Sequence, residues 1–459
     1  MSSCKPRFFL LAYSHQPVFV NRKRLEMSKE KGLFLAGLMV IAGGVLLYAV
    51  QGGRPAGHPP PSMRDAARYT LDTLRDFPWL IDPYGFERAS PDKQGLEHSR
   101  IKKLSEDLAQ GGTKGFLVLQ NNQIVHEWYG GFHGAHIRYR TASLAKALVG
   151  SLVLLLAIDD GRIKMDDPAW RYIPGWRNDP LRSRITVGDL ANHSSGIEHP
   201  EESEDFGDYA ESWKAEYWHD HSERLHIALH VAPVLFPPGT HTSYSNPAYT
   251  ALSYALAASL RGAPESDIGE LLRTRIMQPL GVPDHHWTIG YGERFHQDGL
   301  TLRLFEGGGR YTTRAAARVG QLIGERGIWG GRQILSSGWI DSLVRGDMAT
   351  QAPRPHWKPV SAIGWWSNAG RTWPHLPDDM LIGAGSGHQV VVVVPSYRLV
   401  VVRQGRSLGG PGWGKGYWQV LDDRLLRPLA EIIDAAASHG SQSSREAPAS
   451  GSSASALFP

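Results

Sequence analysis

Ser143-Leu144-Ala145-Lys146 runs directly into the apolar stretch Ala147 to Ile158. In that stretch Leu148, Val149, Leu152, Val153, Leu154, Leu155, Leu156 and Ile158 fall on every side of a helix, and a helix apolar nearly all round is buried. Asp159-Asp160-Gly161 ends it, Gly161 being suited to a left-handed cap. With Ser143 in the first turn, Lys146 follows three residues on along the same face, so hydroxyl and amine are neighbours. The spelling Ser-x-x-Lys is cheap and recurs at Ser2/Lys5, Ser28/Lys31, Ser90/Lys93 and Ser99/Lys102. Ser2 and Ser28 precede the first hydrophobic span, Ser90 runs into Pro91, and Ser99 opens the charged run Arg100-Ile101-Lys102-Lys103. Only Ser143 joins a base to the start of a buried helix.

That setting is what nucleophilic chemistry requires. Burial disfavours the charged form of a lysine, which lets it act as a base. A serine hydroxyl needs such a partner near neutral pH, and a helix N-terminus offers free N–H groups to a developing oxyanion. The bland alternative is an N-capping serine beside a snorkelling lysine.

Such a pair also needs a further polar group to pass protons and a place to hold negative charge. Pro237-Pro238-Gly239-Thr240 is a turn cluster leading to Tyr244-Ser245-Asn246 and the helical run Pro247 to Leu260. Tyr244 and Asn246 thus sit on a loop at a helix start, where side chains face a cleft; a tyrosine before an ordinary capping residue is the plainer reading. Gly383-Ala384-Gly385-Ser386-Gly387-His388 immediately precedes the strand-like Gln389 to Val394. Its glycines let a substrate approach the strand edge, whose backbone N–H groups serve an oxyanion; a glycine loop entering a strand is the alternative.

The order and context of these three pieces resemble the serine hydrolases related to class C β-lactamases, a family that includes penicillin-binding esterases and 6-aminohexanoate-dimer hydrolases. Leu190-Ala191-Asn192-His193-Ser194-Ser195-Gly196-Ile197, Gly307-Gly308-Gly309-Arg310-Tyr311-Thr312-Thr313 and Ile363-Gly364-Trp365-Trp366 look similar too, and the likeness covers roughly residues 95 to 435. The resemblance implies an acyl-enzyme on Ser143, with Lys146 and Tyr244 sharing the general-base role and no metal or organic cofactor. It also implies that Asn246 orients substrate or Lys146, and that Ser386, Gly387 and His388 form the oxyanion side, with the N–H groups of Ser143 and His388 as donors. One departure matters: where β-lactamases and peptidoglycan transpeptidases carry Lys-Thr-Gly, this chain has Gly385-Ser386-Gly387, without the cation that holds a substrate carboxylate. A neutral ester or amide is therefore expected, with a β-lactamase or D-alanyl peptidase-like enzyme as the alternative. A membrane-tethered sensor, acylated on Ser143 and slow to release, is a reading outside catalysis.

Other constellations compete weakly. Gly405-Arg406-Ser407-Leu408-Gly409 spells the elbow of α/β-hydrolases, but Gly410-Pro411-Gly412 follows where that elbow needs a helix. His219, His221, His226 and His230 crowd together, yet Ile227 breaks the zinc-binding His-Glu-x-x-His pattern and a solvated helix face is the commoner explanation. Trp365, Trp366 and Trp373 wall an acyl pocket or pack the core.

Further out, Arg100 to Gln110 reads as an amphipathic helix, and Phe116 to Gln120, Asn121-Asn122 and Ile124 to Tyr129 as a hairpin. Gln389 to Val394, Pro395-Ser396-Tyr397 and Leu399 to Arg403 form a second hairpin, and Tyr417 to Ala436 a closing helix. The expected fold is α/β (α+β): an antiparallel sheet flanked by terminal helices, with a mostly helical insertion at roughly 160–300, β-lactamase/transpeptidase-like. The hydrolase domain is expected over 63–437. Of 459 residues, 49 are basic and 45 acidic, so the net charge of +4 gives no reason to expect a nucleic-acid partner. The single cysteine, Cys4, excludes an intrachain disulfide. Gly32 to Val50 carries no charge and is long enough to span a membrane, while Lys5, Arg7, Arg22, Lys23, Arg24, Lys29 and Lys31 before it keep 1–31 in the cytoplasm. The catalytic part is then expected on the periplasmic or extracellular side; a cleaved signal peptide is the rival. Met27 is a second candidate start, which would place 1–26 outside the native protein. Residues 51–62 form a Pro/Gly linker, and 438–459 a Ser/Ala/Gly-rich tail with too little to bury.

Overall fold

The computed structural model describes residues 84–131, 134–200, 212–219, 223–291, 294–348, 354–410 and 414–443. The expectations for the N-terminal segment, the membrane span, the linker and the last residues of the tail lie outside the described residues.

The Ile101, Leu104 and Leu108 side of α1 (His98–Gln110) is buried. It leads into β1 (Thr113–Gln120) and β2 (Gln123–Tyr129), joined at Asn121-Asn122 with φ of 49° and 67°. Two successive positive φ angles match the twist of the strands they join, which is why an asparagine pair serves there. Five more strands come far downstream: β3 (Val360–Ala362), β4 (Trp365–Ser367), β5 (Leu381–Gly385), β6 (Gln389–Val394) and β7 (Leu399–Gly405). Together they make one antiparallel sheet in the order β3-β4-β5-β6-β7-β1-β2. The β1–β7 pairing, with Leu117 opposite Val402, joins the two ends of the domain.

Both faces of this sheet are covered, so its strands read as continuous apolar runs. Phe116, Val118, Val390, Val392, Val394 and Val401 face the terminal helices, packing with Leu104, Leu108, Leu425 and Ile432. Leu117, Leu119, Val391, Val393, Val400 and Val402 face the opposite core, which holds the apolar helix and most of the inserted region. The closing helical stretch begins at Lys415–Leu421, passes through a π-helical turn at Asp422–Leu426 and continues into Arg427–Ser443.

The apolar stretch after Ser143 ends as α2 (Leu152–Asp159), in which Leu152 to Leu156 are wholly buried. Its length and composition would suit a membrane span, but here it is the domain's core helix. Gly161 has the expected left-handed conformation, φ 68°. The beginning differs from the expected plain α-helix: Ala142–Leu144 is a 3₁₀ turn and Lys146–Ser151 a π-helix. Wide π turns inside helices concentrate at functional positions. Of the decoy pairs, Ser99 and Lys102 lie on α1, whose Lys102 reaches Glu106 at an exposed surface.

Candidate active site

Ser143 is carried into the domain by the 3₁₀ turn, directly after Ala142 with φ 47°, a costly conformation for a side chain with a Cβ. The turn lies hard against β5. A Cβ on Gly385 would stand 2.3 Å from the Thr141 carbonyl, 2.7 Å from Leu144 N and 3.2 Å from Ser143 N, so only glycine fits. A Cβ on Gly383, two residues earlier on the same face, would meet Leu144 and Ala147. The glycine-rich motif is therefore the seat of the turn that carries Ser143.

The second motif arrives at the start of α3 (Asn246–Ser259). Ser245 is in extended conformation and its Oγ accepts the Ala248 N–H at 3.1 Å, so it is a true N-cap. Extended backbone at Ser245 sends its neighbours the other way, and Tyr244 and Asn246 both line the cavity beside Ser143. Ser245 thus caps the helix while the residues on either side of it line the cavity.

These elements bring Ser143, Lys146, Tyr244 and Asn246 into one hydrogen-bonded group. The Tyr244 hydroxyl is 2.7 Å from Ser143 Oγ. Lys146, only 2% exposed, donates from Nζ to the Tyr244 hydroxyl at 2.7 Å, to Asn246 Oδ1 at 2.7 Å and to the Glu306 carbonyl.

Two histidines enclose Tyr244. The His193 ring lies 4.6 Å from that of Tyr244, and its Nδ1 accepts the Ser245 N–H at 3.3 Å. Burial, and then Lys146, hold His193 well below the ordinary histidine pKa, so it is a neutral acceptor. His199 presents an edge to Tyr244 at 5.0 Å and accepts the Asn246 N–H at 3.4 Å.

The cavity in front of Ser143 has a volume of about 210 Å³, with Trp218, Tyr291, Glu306, Gly307 and Ser386 completing its wall. Of the expected oxyanion residues, Ser386 lines this cavity, and the ring of His388 packs elsewhere. Positive φ at Gly387 (76°) and His388 (57°) turns the chain back into the sheet. The His388 ring stacks on Tyr417 at 4.4 Å, and burial lowers its pKa to about 4. The buried Arg403 guanidinium holds this turn, donating to the Gly387 carbonyl at 2.7 Å and that of His388 at 2.9 Å.

Other expectations settle differently. Trp366 and Trp373 pack edge-on to Trp418 in the core and Trp365 is fully buried; the tryptophan of the cavity is Trp218. His226 and His230 are exposed with rings 5.2 Å apart, and the described residues hold no group of three metal-ligating side chains. Ser407 of the competing elbow is exposed, with Oγ 3.4 Å from His388 Nδ1. Sequence reasoning missed His199, Trp218, Tyr291 and Glu306. Glu306 directly precedes the quoted Gly307 segment and could have been noticed there; the others lie in no pattern.

The profile described as Beta-lactamase matches residues 101–425. Among curated proteins, the chain is 29% identical to the D-alanyl-D-alanine-carboxypeptidase/endopeptidase AmpH of Escherichia coli (strain K12), over 38% of this chain and 44% of that protein. It is 25% identical to the 6-aminohexanoate-dimer hydrolase of Paenarthrobacter ureafaciens, over 54% of this chain and 61% of that one. The matched stretches thus span less than two thirds of either relative. Among solved structures, a family VIII carboxylesterase shares the fold with a TM-score of 0.52 at 16% identity, covering 75% of this chain and 99% of that one.

Proposed function

This chain belongs to the Beta-lactamase family, and on that premise we propose that it is a serine hydrolase cleaving an ester or amide bond through an acyl-enzyme on Ser143. The observation that carries the reading is the Tyr244 hydroxyl, which stands 2.7 Å from Ser143 Oγ and 2.7 Å from Lys146 Nζ. Ser143 Oγ attacks the substrate carbonyl carbon while its proton passes to the Tyr244–Lys146 pair. The tetrahedral oxyanion is assigned to the backbone N–H groups of Ser143 and His388, beside the cavity wall that Ser386 lines. As the carbon–leaving-group bond breaks, the same proton passes to the departing oxygen or nitrogen. Water then repeats the sequence on the acyl-enzyme, releases the acid and restores Ser143. Asn246 holds Lys146 through the 2.7 Å contact at Oδ1.

None of the described residues lining the cavity is Lys or Arg, and Glu306 adds a carboxylate. A substrate carboxylate meets no cation on that wall, which favours neutral esters and amides over β-lactams and peptide C-termini. The charge-free stretch Gly32 to Val50 and the basic residues before it support tethering to a membrane, with the hydrolase domain outside the cytoplasm. The test is turnover of p-nitrophenyl butyrate and nitrocefin by the full chain and by Ser143→Ala. Steady ester turnover that vanishes in the variant is expected, with nitrocefin slow; full activity in Ser143→Ala would remove the reading.

A further inference from the structure

The turn that joins β5 to β6 is held by a buried cation that meets no anion. Arg403, on β7, is 0% exposed. Its guanidinium donates from Nη1 to the Gly387 carbonyl at 2.7 Å and the His388 carbonyl at 2.9 Å, from Nε to Thr113 Oγ1 at 2.9 Å, and from Nη2 to the Arg406 carbonyl. Arg224 and Arg314, also buried, each face a glutamate, Glu306 and Glu127 respectively. Among the described residues Arg403 has no such partner. Burial lowers its pKa to about 10, still far above neutral, so the group remains a cation. A buried charge without a counter-ion is costly, and a neutral donor would hold the same carbonyls.

The position of the charge gives it a use. The Gly387 carbonyl and the His388 N–H belong to one planar peptide unit. That carbonyl accepts both Arg403 Nη1 and, at 3.1 Å, Gln389 Nε2. A cation on the carbonyl oxygen draws electron density through the amide and makes its N–H a stronger donor. The His388 N–H itself donates to no group among the described residues.

We propose that Arg403 is a positioning residue for the oxyanion: it fixes and polarises the Gly387–His388 peptide, and so strengthens the His388 N–H towards charge that develops on the substrate carbonyl oxygen. This rests on the serine-hydrolase reading given above and on its assignment of that N–H. Because the gain grows as the oxygen becomes negative, it belongs to the transition state more than to substrate binding.

The test compares p-nitrophenyl butyrate with O-(p-nitrophenyl) thionobutyrate on the full chain, with kcat/KM divided by each compound's hydroxide-catalysed rate. Sulfur is the poorer hydrogen-bond acceptor, so a strong oxyanion site prefers the oxygen ester. That preference is expected to fall about tenfold or more in Arg403→Gln, mostly through kcat, and to fall less in Arg403→Lys, which keeps the charge. A merely structural role lowers both rates by one factor, and an unchanged preference in Arg403→Gln overturns the proposal. A measurement on the wild-type protein decides the matter whether or not the variants fold. With glycine labelled with ¹³C at the carbonyl and histidine with ¹⁵N, only Gly57-His58 and Gly387-His388 give a directly coupled amide signal, and Gly57→Ala identifies which is which. The His388 amide proton is expected to move downfield when ethyl p-nitrophenyl butylphosphonate places a phosphoryl oxygen on Ser143, with Gly57-His58 as the internal reference. No movement of the His388 signal in the adduct overturns the proposal. Absence of both the Ser143 adduct and Ser143-dependent ester hydrolysis overturns the underlying hydrolase reading instead.

Discussion

Tyr244 and Ser143 lie 101 positions apart in the chain, and the phenolic oxygen of one stands 2.7 Å from the hydroxyl oxygen of the other. Lys146 closes the group from behind. In the proposed mechanism the proton path from Ser143 to Lys146 runs through Tyr244, so Tyr244→Phe is expected to lower kcat by about 10² to 10⁴ with a smaller change in KM. Lys146→Ala should do the same, and the double variant should be little worse than either single one, because the pair acts as a unit. Additive losses, measured by steady-state kinetics on p-nitrophenyl butyrate, would contradict this.

Gly385→Ala is expected to damage both fold and activity. The added methyl group would press on the Thr141 carbonyl at 2.3 Å and on the Leu144 and Ser143 nitrogens at 2.7 and 3.2 Å. Overpacking of this kind costs about 1–3 kcal/mol, and here it also displaces the turn that carries Ser143. Denaturant midpoints and kcat on the same preparation check both halves.

How the site reads in sequence depends on how local its causes are. Ser143 and Lys146 were legible because a run apolar on all sides has to be buried, and the hairpins because Asn121-Asn122 and Pro395 to Tyr397 turn the chain by their own chemistry. Glu306 and Arg224 were not, since they meet across 82 positions and neither lies in a repeating pattern. The packing of the His388 ring away from the cavity was likewise hidden. It follows from positive φ at a non-glycine residue, held by an arginine that comes to the turn from β7.

Stability is expected to fall as the solution is acidified from pH 7 towards pH 5. Burial lowers the pKa of His193 well below the ordinary 6.5 and those of His286 and His388 to about 4. Between about 6.5 and those lower values the unfolded chain binds protons that the folded one refuses, so stability rises with pH and is lost on acidification. Denaturant midpoints across pH 7 to 5 test this above the range where ordinary carboxylates titrate; a flat profile would contradict it.

Leu154→Ala should destabilise the domain by about 2–5 kcal/mol, because Leu154 is fully buried on the nucleophile helix. Activity per folded molecule should persist at temperatures well below the new unfolding midpoint. Thermal melts paired with active-site titration separate the two effects.

The most direct test of the account is the mass spectrum of the full chain quenched with acid shortly after mixing with p-nitrophenyl butyrate, followed by peptide mapping. The account predicts a butyryl group on the peptide containing Ser143, located on Ser143 itself, accumulating in Lys146→Ala if deacylation is slowed and absent from Ser143→Ala. A butyryl group on another residue during turnover, or undiminished turnover by Ser143→Ala, would contradict it.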